Sequence, residues 1–256
     1  MALWQAEFAV GAAERLPEAG ILAEGVHKRF GALTALEHID LEVRPHEVVA
    51  ILGPNGAGKS TLLRILSTIM LPDRGRALIG GMNVATETRA AQRLLGSSFG
   101  EDRAWYWRLS GRQNLEFFAT LYGLRPDAAR ERIATLLDTF SLAHAADRPI
   151  GSYSSGMKAR FSLMRALLPS PRVLLLDEPT RSLDPLAADE FRNEIRRLRV
   201  AEDIAILLTT HDLHEAAIMA DRIAVLVKGR IVAMAEERTT AEQLHRLLID
   251  TVAAWT

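Results

Sequence analysis

The most informative stretch of the chain reads Gly53-Pro54-Asn55-Gly56-Ala57-Gly58-Lys59-Ser60-Thr61. It fits the phosphate-binding pattern G-x-x-x-x-G-K-[ST] without a mismatch. Its glycines allow backbone N–H groups to turn inward on phosphate oxygens, because glycine adopts conformations that other residues avoid. We therefore expect the whole stretch to bind the phosphates of a nucleoside triphosphate, with Lys59 at the β- and γ-phosphates and Ser60 on Mg²⁺.

A strand before this loop and a helix after it are predicted from the apolar pattern. Residues 47–52 form a short apolar run of the kind that makes a buried strand. After the loop, apolar residues recur at helical spacing at Leu62, Leu63, Ile65, Leu66 and Ile69. The helix points the positive end of its dipole at the bound phosphate. Strand, loop and helix are the context that the motif requires.

Further strands are predicted on both sides of this unit. Strand-like alternation at 21–31 and 35–43, broken by a glycine turn, predicts an antiparallel β layer ahead of the loop. Apolar runs at 173–177, 204–208 and 223–227 are expected to be parallel strands, because helical segments separate them. The predicted fold class is therefore α/β, a P-loop NTPase core with an antiparallel β layer.

The middle of the chain has a different pattern, from about residue 86 to 170. Helical periodicity dominates there, and Pro126 stands at the first turn of one predicted helix. The apolar face of that helix is formed by Ile133, Leu136, Leu137 and Phe140. This range predicts an α-helical subdomain inserted into the α/β core.

The chain is thus divided into one main domain and two short ends. The ATPase domain is expected at 21–239, after an N-terminal extension at 1–20 that carries no motif. Residues 240–256 are expected to form a short C-terminal helix, which either Thr239 or Thr240 would cap.

Composition excludes several functional classes. The 256 residues carry a formal net charge of −1, so no electrostatic bias indicates a nucleic-acid partner, and we expect none. The absence of cysteine excludes disulfides and thiolate chemistry. No apolar run approaches the 18 or so residues that cross a bilayer, and the first twenty residues lack the basic start of a secretory signal.

A second strong motif follows a predicted buried strand, in the run Leu174-Leu175-Leu176-Asp177-Glu178-Pro179-Thr180. An acid at the carboxyl end of such a strand lies where α/β sheets bind ligands. We expect Asp177 to bind Mg²⁺, directly or through water. We expect Glu178 to orient or deprotonate the water that attacks the γ-phosphate.

With both motifs in place, the chain resembles the ATP-binding subunit of an ABC transporter, over nearly everything from residue 21 to about 234. Three further segments support the resemblance. Tyr153–Met157 (Tyr-Ser-Ser-Gly-Met) is similar to the family's signature sequence, Ser182–Pro185 to its D-loop, and Thr210–Asp212 to the segment that carries its switch histidine.

The resemblance implies roles for further residues. In that family two cassettes close head to tail over two ATP molecules, so Ser154 and Gly156 of one copy would contact the γ-phosphate held by the other. His211 would contact the γ-phosphate within its own chain, and Asp184 would link the two sites. Phe30 stands where the family has an adenine-stacking aromatic, although the residues alone are equally consistent with a core side chain.

One position departs from the family in a way that bears on the metal. Counting back from Leu109–Ser110, the usual Mg²⁺-binding glutamine falls on Glu101, whereas counting forward from Gly96 gives Gly100. We favour Glu101. A carboxylate there still binds Mg²⁺ but adds negative charge beside the phosphates.

The partners are implied by the resemblance as well. A cassette without a membrane span needs a separate transmembrane permease, and a second cassette, expected to be an identical copy. The helical subdomain is the expected docking surface. Its stretch from Trp105 to Phe118 resembles bacterial export cassettes of the ABC-2 type, and the aromatic cluster Trp105-Tyr106-Trp107 at its start is expected to take part in docking, although such residues are core material as well. The expected location is cytoplasmic, peripheral on the inner face of the cell membrane. The alternatives are an importer cassette and a soluble ABC ATPase that takes no part in transport.

Overall fold

Two sheets organise the chain, which a computed structural model describes at residues 20–99, 105–201, 203–235 and 239–254. The elements follow in chain order as β1 (Ile21–Phe30), β2 (Leu33–Val43), β3 (Val48–Leu52), α1 (Lys59–Leu66), β4 (Arg74–Ile79), β5 (Met82–Asn83), α2 (Thr88–Leu94), β6 (Leu95–Phe99), α3 (Gly111–Leu121), α4 (Pro126–Thr139), α5 (Ser155–Leu167), β7 (Val173–Asp177), α6 (Pro185–Ala201), β8 (Ala205–Thr210), α7 (Leu213–Met219), β9 (Arg222–Val227), β10 (Arg230–Ala235) and α8 (Ala241–Ala254). Two short 3₁₀ helices occupy Ala143–Ala145 and Ile150–Ser152.

The larger sheet has the strand order β10-β9-β3-β8-β7-β6. Adjacent strands in it are parallel, except that β9 and β10 are antiparallel. The smaller sheet is antiparallel, in the order β2-β1-β4-β5. Both the α/β core and the antiparallel layer are as the sequence predicts. All five residues of β3 are buried, because this strand lies between the two sides of the molecule.

The two faces of β3 belong to two different apolar clusters. Val48, Ala50 and Leu52 pack with the helical side of the molecule, whereas Val49 and Ile51 pack with α1 and the antiparallel sheet. Alternate residues of a strand point to opposite faces, so one short strand anchors both layers. This burial on two faces explains why the strand is apolar throughout and does not alternate.

The helical part of the chain is built as expected around α4. Pro126 begins this helix, and Ile133, Leu136, Leu137 and Phe140 are all buried in one cluster. The helix α3 begins at a capping box, in which the Ser110 hydroxyl accepts from the N–H of Gln113 and the Gln113 side chain accepts from the N–H of Ser110. Such a box satisfies two backbone donors that a helix leaves free.

Two local predictions differ from the structure, and one open alternative is resolved by it. Strand β6 lies inside the range where helical periodicity dominates, and it is not predicted because Leu-Gly-Ser-Ser-Phe lacks the apolar character of a buried strand. Helix α1 ends at Leu66, and Ile69 lies beyond it with 65% of its surface exposed. At the C-terminal helix the structure selects Thr240, whose hydroxyl accepts from the N–H of Gln243 at 3.2 Å.

Strand register brings the predicted motifs to one edge. Leu52 pairs with Thr210, and Asp177 pairs with Thr209. Since these strands are parallel, their carboxyl ends open on the same side, where α/β sheets bind ligands. The segments that follow β3, β7 and β8 therefore meet there.

Candidate active site

The glycine-rich loop packs closely against the backbone of strands β9 and β2. A side-chain carbon added to Gly53 would lie 2.2 Å from the carbonyl oxygen of Leu226, and one added to Gly58 would lie 2.5 Å from that of Ala35. Gly58 also has a φ of +111°, which favours glycine. The N–H of Gly229 donates to the carbonyl oxygen of Ala57 at 2.9 Å. The glycines are thus required by close approach as well as by conformation.

Lys59 begins α1 and folds back over the loop. It is 5% exposed, and its Nζ donates to the carbonyl oxygens of Gly53 at 2.6 Å and Pro54 at 3.2 Å. Burial lowers the pKa of Lys59 from its ordinary value of 10.5, and the nearby charges of Glu178 and Asp177 oppose that shift. The ammonium group is therefore poorly solvated and has only carbonyl and carboxylate partners, which favours binding of an anion.

The acid pair at the end of β7 is fixed by Thr209 of the neighbouring strand. The Thr209 hydroxyl donates to Oδ1 of Asp177 at 2.5 Å, and the N–H of Glu178 donates to both the carbonyl and the hydroxyl oxygen of Thr209 at 3.1 Å. Glu178 has a φ of +47°, a left-handed conformation that is uncommon for a residue with a side chain. Strained residues of this kind concentrate at functional sites.

Three cationic or imidazole groups surround the Glu178 carboxylate, which is 12% exposed. Its Oε1 lies 3.7 Å from Nζ of Lys59 and 3.3 Å from Nδ1 of His211, and its Oε2 lies 3.3 Å from Nη1 of Arg181. The structure therefore brings together all three predicted catalytic residues. No sequence motif predicts Arg181 at this site, because it is the turn after β7 that brings its side chain back onto Glu178.

A cleft of about 1160 Å³ opens in front of these groups. It is lined by every residue of the loop from Pro54 to Thr61, by Asp177 and Glu178, and on one side by Phe30. Phe30 ends β1, is 45% exposed, and has Lys28 Nζ 5.8 Å from its ring centroid. An exposed aromatic face at one end of a phosphate-binding cleft is a surface on which a base can stack.

The remaining predicted positions lie elsewhere. Ser154 caps α5 by accepting from the N–H of Met157 at 3.2 Å, and Gly156 is buried in the first turn of the same helix. Neither lines the cleft of its own chain, whereas Ser155 and Lys158 of this helix do. Glu101, the predicted third metal ligand, lies outside the described residues.

The aromatic cluster divides into a buried and an exposed part. Trp105 is only 5% exposed and packs edge to face with Phe118 and Phe161, at centroid distances of 5.7 and 6.0 Å. The prediction that all three aromatic residues form a docking surface is therefore wrong for Trp105, because its ring fills the core under α3. Tyr106 and Trp107 each expose about half of their surface.

Fold and cleft together define a P-loop ATPase of the cassette type. The ABC transporter family matches residues 36–181, more than half of the chain. The chain is 42% identical over 218 residues to the daunorubicin resistance ATP-binding protein DrrA3 of Streptomyces coeruleorubidus, covering 85% of this chain and 68% of that protein. It is 40% identical over 237 residues to the doxorubicin resistance ATP-binding protein DrrA of Mycobacterium tuberculosis, covering 91% and 69%. Among solved structures, cbiO1 from Clostridium perfringens, part of the ABC transporter complex cbiONQ, aligns with a TM-score of 0.80 and 26% identity over 90% of this chain and 92% of that one.

The chain belongs to the ABC transporter family, as an ATP-binding cassette. It spans about two thirds of the length of the two resistance proteins. Cassettes of this family hydrolyse ATP and work with membrane permease partners, so the chain is an ATP hydrolase. In the segments that the structure covers, no helix has both the length and the apolar character to cross a membrane.

Proposed function

We propose that this chain is the ATP-driven subunit of a drug exporter, coupling ATP hydrolysis to movement of a separate membrane permease. The observation that carries the proposal is the 40–42% identity to ATP-binding proteins named for resistance to daunorubicin or doxorubicin. Amphipathic aromatic compounds of that kind are the proposed cargo class. The chain acts on the cytoplasmic face of the membrane, where ATP is supplied.

Hydrolysis is assigned to the groups around Glu178. Water attacks the γ-phosphorus, the bond from that phosphorus to the bridging oxygen breaks with its electron pair remaining on the oxygen of the departing ADP, and the Glu178 carboxylate accepts the proton of the water. A positioned base of this kind contributes roughly 10²–10⁴ in rate. Lys59 turns from the loop carbonyls to the phosphates, and His211, 3.3 Å from Glu178, donates to the γ-phosphate.

Mg²⁺ fits the oxygen donors at the base of the cleft. The metal neutralises charge on the phosphates when bound. Ser60 offers a hydroxyl and Asp177 a carboxylate, and both line the cleft. Oδ1 of Asp177 is occupied by the Thr209 hydroxyl, which leaves Oδ2 for the metal or its water. One carboxylate together with phosphate and water oxygens is the donor set that Mg²⁺ prefers. We propose Glu101 as a further ligand.

A second cassette is proposed to complete the site. Ser154 and Gly156 do not line the cleft of their own chain, although neighbouring residues of α5 do. This arrangement supports their proposed role on the γ-phosphate of a partner copy. An interface joined by phosphate opens when hydrolysis releases that phosphate, which converts chemistry into movement.

The permease is proposed to dock on the exposed aromatic side of α3. Tyr106 packs edge to face on Phe117 with ring centroids 4.7 Å apart, and both remain partly exposed. Trp107 is 50% exposed but lines the cleft, with Lys158 Nζ 5.3 Å from its ring, so the docking surface is assigned to Tyr106 and Phe117. Tyrosine and tryptophan are enriched at the energetic centres of protein interfaces.

The first test of this function is Glu178→Gln. We expect the variant to bind ATP but to lose turnover by roughly 10²-fold or more, and to accumulate as an ATP-bound dimer on size exclusion. Asp203→Asn, a matched change of an exposed carboxylate beside His46, is the control. Wild-type turnover in Glu178→Gln would remove the assigned base.

The second test addresses docking and cargo. The double variant Tyr106→Ala with Phe117→Ala is expected to lose co-purification with the membrane subunit while ATP binding is retained, because neither residue lines the cleft. Ile69→Ala with Leu71→Ala removes two other exposed apolar side chains and serves as the control. ATP-dependent uptake of daunorubicin into inverted vesicles that hold both subunits would support export, whereas uptake only into right-side-out vesicles would indicate an importer.

A further inference from the structure

A buried carboxyl group, that of Glu215, is hydrogen-bonded to residues close to Glu178 and His211 in the chain. Glu215 is in the first turn of α7 and is 2% exposed. Its Oε1 accepts a hydrogen bond from the hydroxyl of Thr180, and its Oε2 accepts one from the hydroxyl of Thr210. One side chain therefore joins the segment after β7 to the end of β8.

These two segments carry the proposed catalytic residues. Thr180 lies two positions after Glu178, and Thr210 immediately precedes His211. The Thr210 hydroxyl also accepts from the N–H of Asp212 at 3.0 Å. This hydrogen bond joins the two residues that flank His211 in the chain. The bridge through Glu215 thus holds in register the two segments whose tips meet at the 3.3 Å contact between His211 and Glu178.

The conformation of Glu178 explains why such a bridge is needed. A left-handed residue that is not glycine persists only where surrounding contacts hold it. Thr209 holds the backbone of Glu178 through its N–H. On the other side of Glu178, the hydrogen bond from Thr180 to Glu215 holds the chain where it leaves the strained residue.

Stability alone does not account for a carboxyl group at this position. Burying a carboxylate is costly unless its oxygens accept hydrogen bonds, and apolar residues of similar volume often replace buried charges without loss of stability. The N-terminal end of α7 is already capped by Asp212, whose Oδ1 accepts from the N–H groups of His214 and Glu215. What the Glu215 side chain adds is two acceptor oxygens aimed at two different segments.

We propose that Glu215 is a positioning residue for ATP hydrolysis, which sets the place of Glu178 and His211 through Thr180 and Thr210. The inference rests on the proposed roles of Glu178 and His211. Misplacement of a catalytic group by about 1 Å can cost roughly 10²-fold in rate. Loss of the bridge therefore lowers kcat, while ATP binding, which depends on the separate glycine-rich loop, is retained.

The experiment compares Glu215→Leu with Glu215→Gln in the full chain. Glu215→Leu is expected to lower kcat by about ten- to a hundredfold, with the Kd for ADP changed by less than about threefold. Glu215→Gln keeps one acceptor oxygen and places an amide donor opposite the other hydroxyl, so it is expected to retain kcat within about threefold. A merely structural role would lower ADP binding and kcat together.

A mutant cycle ties the effect to the bridge. The double variant Thr180→Val with Thr210→Val removes both donors and is expected to reproduce the loss of kcat. Adding Glu215→Leu to it should cause no further loss, because contacting residues that act as a unit are not additive. If Glu215→Leu does not fold, the threonine variants and Glu215→Gln give the same comparison.

The outcomes separate this inference from the function it rests on. If Glu178→Gln loses turnover while Glu215→Leu and the threonine variants keep kcat within about threefold, the positioning role is refuted and the proposed base stands. If the losses from Glu215→Leu and from the threonine variants multiply, the bridge is refuted as the route. If Glu178→Gln keeps wild-type turnover, Glu178 is not the base. The positioning role of Glu215 is then refuted as well, whatever the effect of Glu215→Leu.

Discussion

Replacing Tyr153 by phenylalanine tests how the start of helix α5 is anchored. Tyr153 is 4% exposed and immediately precedes Ser154, the residue that caps this helix. Its hydroxyl donates to the carbonyl oxygen of Ala145 at 2.6 Å, and its ring packs edge to face on Phe161 with centroids 5.1 Å apart. The substitution removes the hydroxyl and keeps the ring, so it tests the polar contacts of the hydroxyl, which include the backbone of Gly111 as well as Ala145.

The cost follows from what is left behind. Ala145 is fully buried, so its carbonyl oxygen gains no water when the hydroxyl is removed. A buried polar group left without its partner costs about 1–3 kcal/mol of unfolding free energy. For a domain of this size each kcal/mol lowers the melting temperature by about 2–4 °C, so we expect a decrease of about 2–12 °C.

The effect of Tyr153 also depends on pH with a definite sign. Burial raises the pKa of the Tyr153 hydroxyl above its ordinary value of 10.0. The folded state therefore favours the neutral phenol, and the stability it gains is present below pH 10.0 and is lost as pH rises through the raised pKa. Phenylalanine has no such dependence, so the advantage of the wild-type chain shrinks in alkaline solution.

Urea unfolding followed by circular dichroism, at about pH 8 and about pH 11, measures both effects. Tyr106→Phe, at a half-exposed tyrosine, is the control and should change stability by less than about 0.5 kcal/mol. A Tyr153→Phe variant as stable as the wild-type chain, or one whose deficit is the same at both pH values, would refute the reasoning.

Three other substitutions test the cleft and the core. Gly53→Ala drives a carbon to 2.2 Å from the Leu226 carbonyl oxygen and should abolish ATP binding measured by calorimetry, since the loop must move; retained affinity would contradict the close approach. Phe30→Ala should weaken ATP binding by about tenfold or more through loss of stacking, while Phe30→Trp retains it; an unchanged Kd for both would exclude the base-stacking role. Trp105→Ala should lower unfolding free energy by about 3–5 kcal/mol in a denaturant titration, and a loss below about 1 kcal/mol would contradict its burial.

The parts of the fold that could be predicted are those whose local pattern carries the information. Strand β3 is apolar along its whole length, and β7 and β8 are apolar up to the polar residues at their carboxyl ends, because both faces are buried; the loop between β3 and α1 has a strict motif. Strand β6 is not predicted because it contains Gly96, which is atypical of a buried strand. Glycine is required there because an added side-chain carbon would lie 2.2 Å from the Ala166 carbonyl oxygen. Its pairing with β7 comes from tertiary contact and not from its own residues.

The same distinction applies to the site. Lys59, Asp177 and Glu178 belong to short motifs with a known spacing, and the structure brings them to one cleft. Arg181 and Glu215 belong to no motif, because their importance arises from where a turn and a helix return the chain. Trp105 and Trp107 look alike in sequence, and only the packing of α3 separates the buried ring from the exposed one.

One hairpin contributes residues to the lining of the cleft, Phe30 and Ala35 among them. Phe30 ends β1, and Ala35, five residues later on β2, has the carbonyl oxygen that presses on Gly58 of the loop. Under the proposed function, the surface that receives the base and the wall that shapes the phosphate pocket are thus parts of a single antiparallel hairpin. Because β1 and β2 belong to one sheet and the loop follows β3 of the other, the distance between the base and the phosphates depends on how the two sheets pack, and the contact of Ala35 with Gly58 is one point that fixes that packing.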